Sequence, residues 1–209
     1  MKTIGWMISL GFLASAGKVI NFDTGQIGKA PAGWSVVTTN RGPAARWEIR
    51  KDQTAPTQPY VLAQLSSDPA ANRAPLAILD NPSLRDGDVS VRIKPVAGRQ
   101  DPGGGLVWRF RDENNYYLVR ANVTQNTVGV DKVENGRRIA LIPGVKHDIP
   151  FNAWSILKVS ARGNRFQIYV DHRRILEGED NTFTGAGRVG LCTMADSVTY
   201  FDDFRVYPR

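Results

Sequence analysis

The stretch that decides the fold is GGLVWRFRDENNYYLVRANV, residues 104–123. Apolar side chains recur there at every second position, first at Leu106, Trp108 and Phe110 and again from Tyr117 onward. A period of two is typical of strands that bury one face. The polar segment DENN separates the two halves, and strands joined by so short a turn can pair only in the antiparallel sense. This stretch therefore predicts an antiparallel hairpin.

The same alternation returns along the rest of the chain, and no helical period persists over a comparable length. Further alternating runs lie at 89–93, 128–130, 166–170, 189–192 and 204–206. Asn135-Gly136 follows one of them and is a hairpin turn signal. Short strands with turns about every 8–12 residues predict an all-β, antiparallel, two-sheet sandwich. We expect the segments at 38–58 and 66–75, rich in Pro, Ala, Arg and Ser, to form long loops on the same domain.

The first sixteen residues, MKTIGWMISLGFLASA, have the organisation of a secretory signal peptide. Lys2 supplies a positive start, an uncharged apolar run follows, and residues 14–16 show a small-x-small cleavage pattern. The run is shorter than the roughly 20 residues that a membrane span needs. We therefore expect a signal peptide at 1–16, a single domain at 17–209, and a secreted or periplasmic location. The alternative is that the run forms a buried helix or a first strand.

The composition excludes several kinds of site. The only cysteine, Cys192, excludes an intrachain disulfide and a cysteine-based zinc cluster. The only histidines, His147 and His172, exclude a multi-histidine metal site. An unpaired thiol in an exported protein is open to oxidation, so we expect Cys192 to be buried on a strand.

The formal net charge is +7, which raises the question of nucleic-acid binding. The arginines, however, are scattered through strands and turns, and no basic run or nucleic-acid-binding motif is present. Nucleic acid is therefore not an expected partner. Attraction to anionic glycans or the cell envelope suits an exported chain better, and a merely solvated basic surface is the alternative.

Several segments resemble the concanavalin A-like lectin/glucanase superfamily. They are the 104–120 stretch, GRVGL at 187–191, ADSVTYFDDFRV at 195–206, Trp154, and Phe22-Asp23 followed by PAGW at 31–34. Similar chains include laminin-G-like domains and exported bacterial domains of the 3-keto-disaccharide hydrolase-like type. The resemblance implies a jelly roll over most of residues 20–207, but one fold hosts many functions.

The resemblance also implies a structural calcium ion that joins the first strand to an aspartate on the last. By position, Asp202 is that aspartate, and Asp23 or its neighbouring backbone is the N-terminal ligand. Calcium takes such carboxylate and carbonyl oxygens. The alternative is that these are ordinary aspartates that pair with arginines.

A sheet face is the candidate ligand site, because strand residues opposite the core can gather on the concave sheet. Aromatic rings cover the apolar faces of sugars, while Arg, Gln and Asp bond hydroxyls. The candidates are Arg109, Tyr116, Arg120, Gln167 and Tyr169, with Cys192 on the same face and Asp196 at the rim. The alternative is that they form a network that only holds the sheet together.

Catalysis is the second hypothesis. Family sixteen glycoside hydrolases carry the pattern E-x-D-x-x-E on one strand, and none of the five glutamates of this chain begins it. Glu177 and Glu179 share a strand face next to a turn, and we interpret them as solvated acidity. A carboxylate pair from separate strands stays open. The favoured hypothesis is a non-catalytic domain that binds carbohydrate or the cell envelope, and the third is a structural domain without a small ligand.

Overall fold

The computed structural model of the protein describes residues 17–40, 42–70 and 73–209. The expected signal peptide at 1–16 lies outside these ranges and stays a prediction. The described residues form strands and turns, and none of them belongs to a helix long and apolar enough to cross a membrane. The strands are β1 (Lys18–Ile20), β2 (Trp34–Thr39), β3 (Trp47–Lys51), β4 (Tyr60–Gln64), β5 (Ala74–Leu84), β6 (Gly87–Ala97), β7 (Gly103–Asp112), β8 (Asn115–Asn122), β9 (Thr127–Glu134), β10 (Arg137–Lys146), β11 (Ser155–Arg162), β12 (Arg165–Val170), β13 (Arg173–Glu179), β14 (Gly187–Cys192) and β15 (Val198–Pro208).

The strands form two sheets. Sheet A has the order β13-β12-β11-β6-β15-β4-β3, with β1 on β15, and sheet B has the order β10-β9-β8-β7-β14-β5-β2. Every strand pairing is antiparallel, which confirms the predicted all-β sandwich. The predicted turn between β9 and β10 is also present: Asn135 and Gly136 both have positive φ, as a tight hairpin turn requires.

The core lies between the sheets and is rich in aromatic rings. Trp108 stacks on Tyr117 with ring centroids 5.3 Å apart and contacts Phe166 of sheet A at 5.7 Å. Near the first strand, the Trp34 ring meets Phe204 edge-on at 5.0 Å. The contacts of Trp108 with Phe166 and of Trp34 with Phe204 join the two sheets directly. Aromatic pairs of this kind add to the stabilisation from burial alone.

A bulge in β7 changes which side chains face this core. Arg109 has a φ of 51°, and the pairing of β7 with β8 shifts register between Trp108 and Asp112. An extra residue reverses the alternation beyond it. Phe110 therefore packs on the outer face of sheet B rather than beside Leu106, so the predicted uniform alternation is wrong at this position.

The long loops expected at 38–58 and 66–75 are only partly present. β2 runs to Thr39, β3 occupies Trp47–Lys51, and β5 begins at Ala74. The Pro and Arg content of these segments led to the prediction of a loop where β3 lies. Trp47 and Ile49 of β3 alternate with polar residues and point into the core.

A second bulge lies in β15. Asp203 has a φ of 52°, and the pairing with β6 shifts between Asp202 and Arg205. Asp202 is fully buried, and its carboxylate accepts hydrogen bonds from the backbone N–H of Thr57 at 2.8 Å and of Asp203 at 2.7 Å. Burial raises the pKa of Asp202 to about 7, and the nearby carboxylates of Asp203 and Asp23 add to the rise.

Asp202 makes stability depend on pH. Its folded-state pKa lies above the unfolded value of about 3.9, so its contribution is complete below pH 4 and is lost as pH rises through 7. In buffer with a chelator, we expect the free energy of unfolding, measured with urea, to fall over this window. Asp202→Asn should remove part of that slope, whereas Glu113→Gln at an exposed turn should not. Equal slopes in all three proteins would contradict the assignment.

Candidate functional site

An apolar layer covers the outer face of sheet B, on the side away from the core. It is built from Ala74, Leu76, Ile78, Val107, Phe110, Tyr116, Leu118, Val133, Cys192 and Met194, all of them buried. Side chains rather than a third sheet lie over it. The Arg188 guanidinium sits 5.0 Å from the centre of the Phe110 ring, and Arg138 Nη1 lies 3.9 Å from Met194 Sδ. We call this surface the B face.

Two arginines share one buried carboxylate on the B face. Arg120 Nε donates to Asp131 Oδ2 at 2.9 Å, and Arg138 Nε lies 3.5 Å from the same oxygen. The Asp131 side chain is 2% exposed, while those of Arg120 and Arg138 are 18% and 29% exposed. Asp131 thus fixes both guanidiniums through their Nε atoms, and among the described residues no oxygen accepts from their terminal nitrogens.

A loop brings a second carboxylate to the same place. The Asp196 carboxylate accepts from the backbone N–H of Arg99 at 2.8 Å, of Gln100 at 3.1 Å and of Asp101 at 3.4 Å. The Asp101 carboxylate in turn accepts from the Asn122 side chain on β8. Burial raises the pKa of Asp101, while Arg120 and Asn122 oppose the rise. Asp196 therefore holds the loop, and Asp101 faces the site.

The structure divides the predicted site residues among three places. Tyr116 and Arg120 lie on the B face, and Tyr116 Oη is 3.3 Å from Thr39 Oγ1. Gln167 and Tyr169 lie on the outer face of sheet A. The prediction that these residues share one sheet is wrong, because β8 and β12 belong to opposite sheets.

Arg109 belongs to neither face. The bulge turns its guanidinium into the end of the sandwich, where it donates to the backbone carbonyls of Arg85 at 3.1 Å, of Phe183 at 2.7 Å and of Gly163. Its side chain is buried, all three of its nitrogens donate to these carbonyls, and Nη2 lies 3.6 Å from Asp86 Oδ1. Arg109 thus fastens three loops and lies away from the outer faces of both sheets.

Cys192 is buried, as predicted, and lies within the apolar layer of the B face. Burial raises the pKa of its thiol to about 12, so it is neutral at physiological pH. It fills space beside Gly105, where a Cβ would meet its sulfur at 2.6 Å.

Sequence reasoning missed Asp101, Asp131 and Arg138. A signal for Asp131 was present. Val128 and Val130 point into the core, so the residue directly after Val130, an acid, falls on the opposite face. Arg138 could be placed only with the register of the β9–β10 hairpin, which pairs it with Val133. Asp101 lies in a glycine-rich turn, where no period applies.

Comparison with known proteins supports a carbohydrate-binding fold. No protein-family model matches the chain. The solved structure of the carbohydrate-binding module CBM66 from Bacillus subtilis superposes with a TM-score of 0.64 at 26% identity, over 83% of this chain and 94% of that one. The chain has a concanavalin A-like jelly-roll fold.

One further sequence match and one further solved structure are similar to this chain. It is 34% identical to the levanase of Bacillus subtilis (strain 168) over 102 residues, which are 48% of this chain. Those residues cover only 14% of the levanase, so most of that enzyme has no counterpart in the match. The VIP36 exoplasmic/lumenal domain in its Ca²⁺/Man3GlcNAc-bound form shares the fold, with a TM-score of 0.57 at 13% identity over 86% of this chain and 84% of that one.

The arginine pair of this jelly roll depends on Asp131. Asp131→Ala leaves two guanidiniums without their shared carboxylate, and breaking a buried ion pair costs about 3–5 kcal/mol of unfolding free energy. We expect a loss of this size by urea denaturation. Glu113→Ala, in the exposed β7–β8 turn, serves as the control. A loss below about 1 kcal/mol, the value of a surface pair, would show that Asp131 does not hold the arginines.

Proposed function

We propose that the chain binds a neutral carbohydrate on the B face, at Arg120, Arg138 and Asp101. The observation that carries this proposal is the arginine pair fixed by Asp131. No oxygen among the described residues accepts from its terminal nitrogens, although Arg138 Nη1 contacts Met194 Sδ at 3.9 Å. Guanidinium groups held in one orientation lose little freedom when they bind, which favours recognition of hydroxyl oxygens.

The charges at the site favour a neutral ligand. Two guanidiniums face two carboxylates, Asp131 and Asp101, so the local charge is balanced. The guanidiniums donate hydrogen bonds, while the Asp101 carboxyl accepts them or, when protonated, donates one. The apolar layer beneath, with Met194 and Tyr116, is buried, so it supports the arginines from below while the guanidiniums face the ligand.

The relatives suggest which sugar to test first. A carbohydrate-binding module is similar over most of this chain, and the name of the partially matching enzyme, levanase, specifies levan. Levan is a neutral fructose polymer, in keeping with the balanced charge. We therefore propose a fructan as ligand. A polymeric glycan lies outside the cytoplasm, and residues 1–16 are expected to be a signal peptide. We therefore propose a secreted or periplasmic location for this protein.

The proposed role is binding without hydrolysis. A glycosidase needs two carboxyls that flank the scissile bond, one of them free to reach the sugar or a water. Asp131 is buried and occupied by two arginines, so it cannot approach a glycosidic bond. Glu177 and Glu179 are exposed on sheet A, on the other side of the sandwich from Asp101.

Isothermal titration with levan oligosaccharides tests the proposal. We expect Arg138→Gln to weaken binding about tenfold or more, the effect of losing a charged hydrogen-bond donor. Arg137→Gln, one position earlier on β10 and exposed, is the matched control and should bind as the parent protein does. If both variants bind equally, the B face is not the site. Release of reducing sugar from levan during incubation would instead favour the hydrolase hypothesis.

We also propose that Asp23 and Asp202 hold a structural calcium ion. The described ranges contain no cluster of three or more His, Cys, Asp or Glu side chains that could hold a metal. The proposal therefore relies on these two carboxylates, which are near enough to repel each other, with backbone oxygens and water completing the shell. A divalent cation would stabilise the ionised form of buried Asp202 and join the N-terminal segment to β15.

Thermal unfolding at pH 8 tests the calcium proposal. We expect 2 mM Ca²⁺ to raise Tm above the value in chelator, since a ligand that binds only the folded state stabilises it. Asp202→Asn should abolish the rise, while Asp148→Asn, at an exposed loop position, should keep it. An unchanged Tm of the parent protein on chelation would refute the site.

A further inference from the structure

The outer face of sheet A carries a groove on the opposite side of the sandwich from the B face. It runs across β11, β12 and β13 and has a volume of about 690 Å³. Its charged lining consists of four cationic and two acidic side chains: Lys158, Arg162, Arg165, Arg209, Glu177 and Glu179. Unlike the B face, the groove therefore has an excess of positive charge.

The strand register arranges cations across this face in a row. Ser90 on β6 pairs with Arg205 of β15 on one side and with Lys158 of β11 on the other. Lys158 pairs with Tyr169 of β12, and Tyr169 pairs with Arg174 of β13. Cations thus stand on every second strand, which puts their backbones about 9.5 Å apart, twice the strand spacing.

The cations of the row remain accessible. Each has an acidic neighbour: Arg205 lies 3.4 Å from Asp203, Lys158 lies 3.2 Å from Asp88, and Arg174 lies 3.0 Å from Glu177. Their side chains are nonetheless 42%, 35% and 52% exposed. Asp203 and Asp88 are only 10% and 14% exposed, but Asp203 also pairs with Arg92 and Asp88 with Arg209, so each acid keeps a cation when its partner in the row turns to a ligand. An incoming anion can therefore compete for them at little cost.

An aromatic ring and hydrogen-bonding groups lie between the cations. Lys158 Nζ sits 4.9 Å from the centre of the Tyr169 ring, and Tyr169 Oη donates to Gln167 Oε1 at 2.8 Å. Gln167 Nε2 donates in turn to Glu177 at 3.3 Å. A ring flanked by amide and carboxylate groups suits a hydroxylated sugar, whereas the cations on either side require negative charge on that ligand.

We propose that this outer face of sheet A binds an anionic polysaccharide, whose chain lies across the strands with carboxylates on the cations of the row. Of these cations, Lys158 also lines the groove, while Arg174 and Arg205 lie on the same face outside its lining. The separation of neighbouring cations is close to the length of one disaccharide, so a polymer charged at regular intervals can meet two or three of them. This site is independent of the neutral-sugar site on the B face. The two together would let one domain bridge two different polymers.

Binding of an oligogalacturonate decamer, compared with its methyl-esterified neutral form, tests this proposal at low and physiological ionic strength. We expect the anionic decamer to bind, more weakly as salt rises because the charges are screened, and the ester not to bind. Lys158→Gln/Arg174→Gln should weaken binding about tenfold or more. Lys29→Gln/Lys51→Gln removes the same charge at exposed positions elsewhere and should bind as the parent does.

Each outcome decides the proposal. Equal losses in the two double variants would mean that only net charge matters and would overturn the groove, as would equal binding of the ester. Competition by duplex DNA at equal affinity would overturn the assignment to a glycan. If Lys158→Gln/Arg174→Gln has a lowered Tm, Arg162→Gln/Arg165→Gln removes two groove cations next to the β11–β12 turn and replaces it. Levan binding by the groove variants should stay unchanged whether or not the B face is confirmed as its site.

Discussion

Side chains of a β-strand alternate between two faces, and one inserted residue exchanges them. The arrangement of this protein follows from that constraint and from two places where it is interrupted. The bulge at Arg109 turns Phe110 outward into the apolar layer of the B face. The bulge at Asp203 lets Phe201 and Phe204, three positions apart, both enter the core. Without these insertions the two aromatic sets would not both be buried.

Each sheet has one face in the core, so the side chains on its outer face are not constrained by packing against the other sheet. The two outer faces therefore differ in composition. On sheet B, buried apolar side chains support arginines that a single aspartate orients. On sheet A, the outward side chains are polar along β11 and β12, and cations alternate with other residues across the strands. The first arrangement is rigid and close to neutral, and the second is exposed and positive.

The burial of Cys192 was predicted from the sensitivity of an unpaired thiol to oxidation in an exported chain. The alternation of apolar residues, with the short turns between the runs, was sufficient to predict the sandwich and its antiparallel pairing. It could not show which strands join the same sheet, since that depends on contacts between residues far apart in sequence. Gln167 and Arg120 were therefore grouped together although they lie on opposite sides. Nor could it place Arg109, because a bulge leaves no mark in a period of two until the register of the partner strand is known. Asp101 was missed for a related reason: its position depends on three hydrogen bonds to Asp196, 95 residues later in the chain.

The guanidinium of Arg109 couples the motions of three loops. It bonds to carbonyl groups in three separate loops at one end of the sandwich, around Arg85, Gly163 and Phe183. None of these loops can open alone without leaving a buried cation short of an acceptor. They should therefore open as one cooperative unit, whose amides exchange with solvent together. The end of the domain that carries this arginine would then be its most slowly exchanging loop region, although loops are usually the first segments of a fold to open.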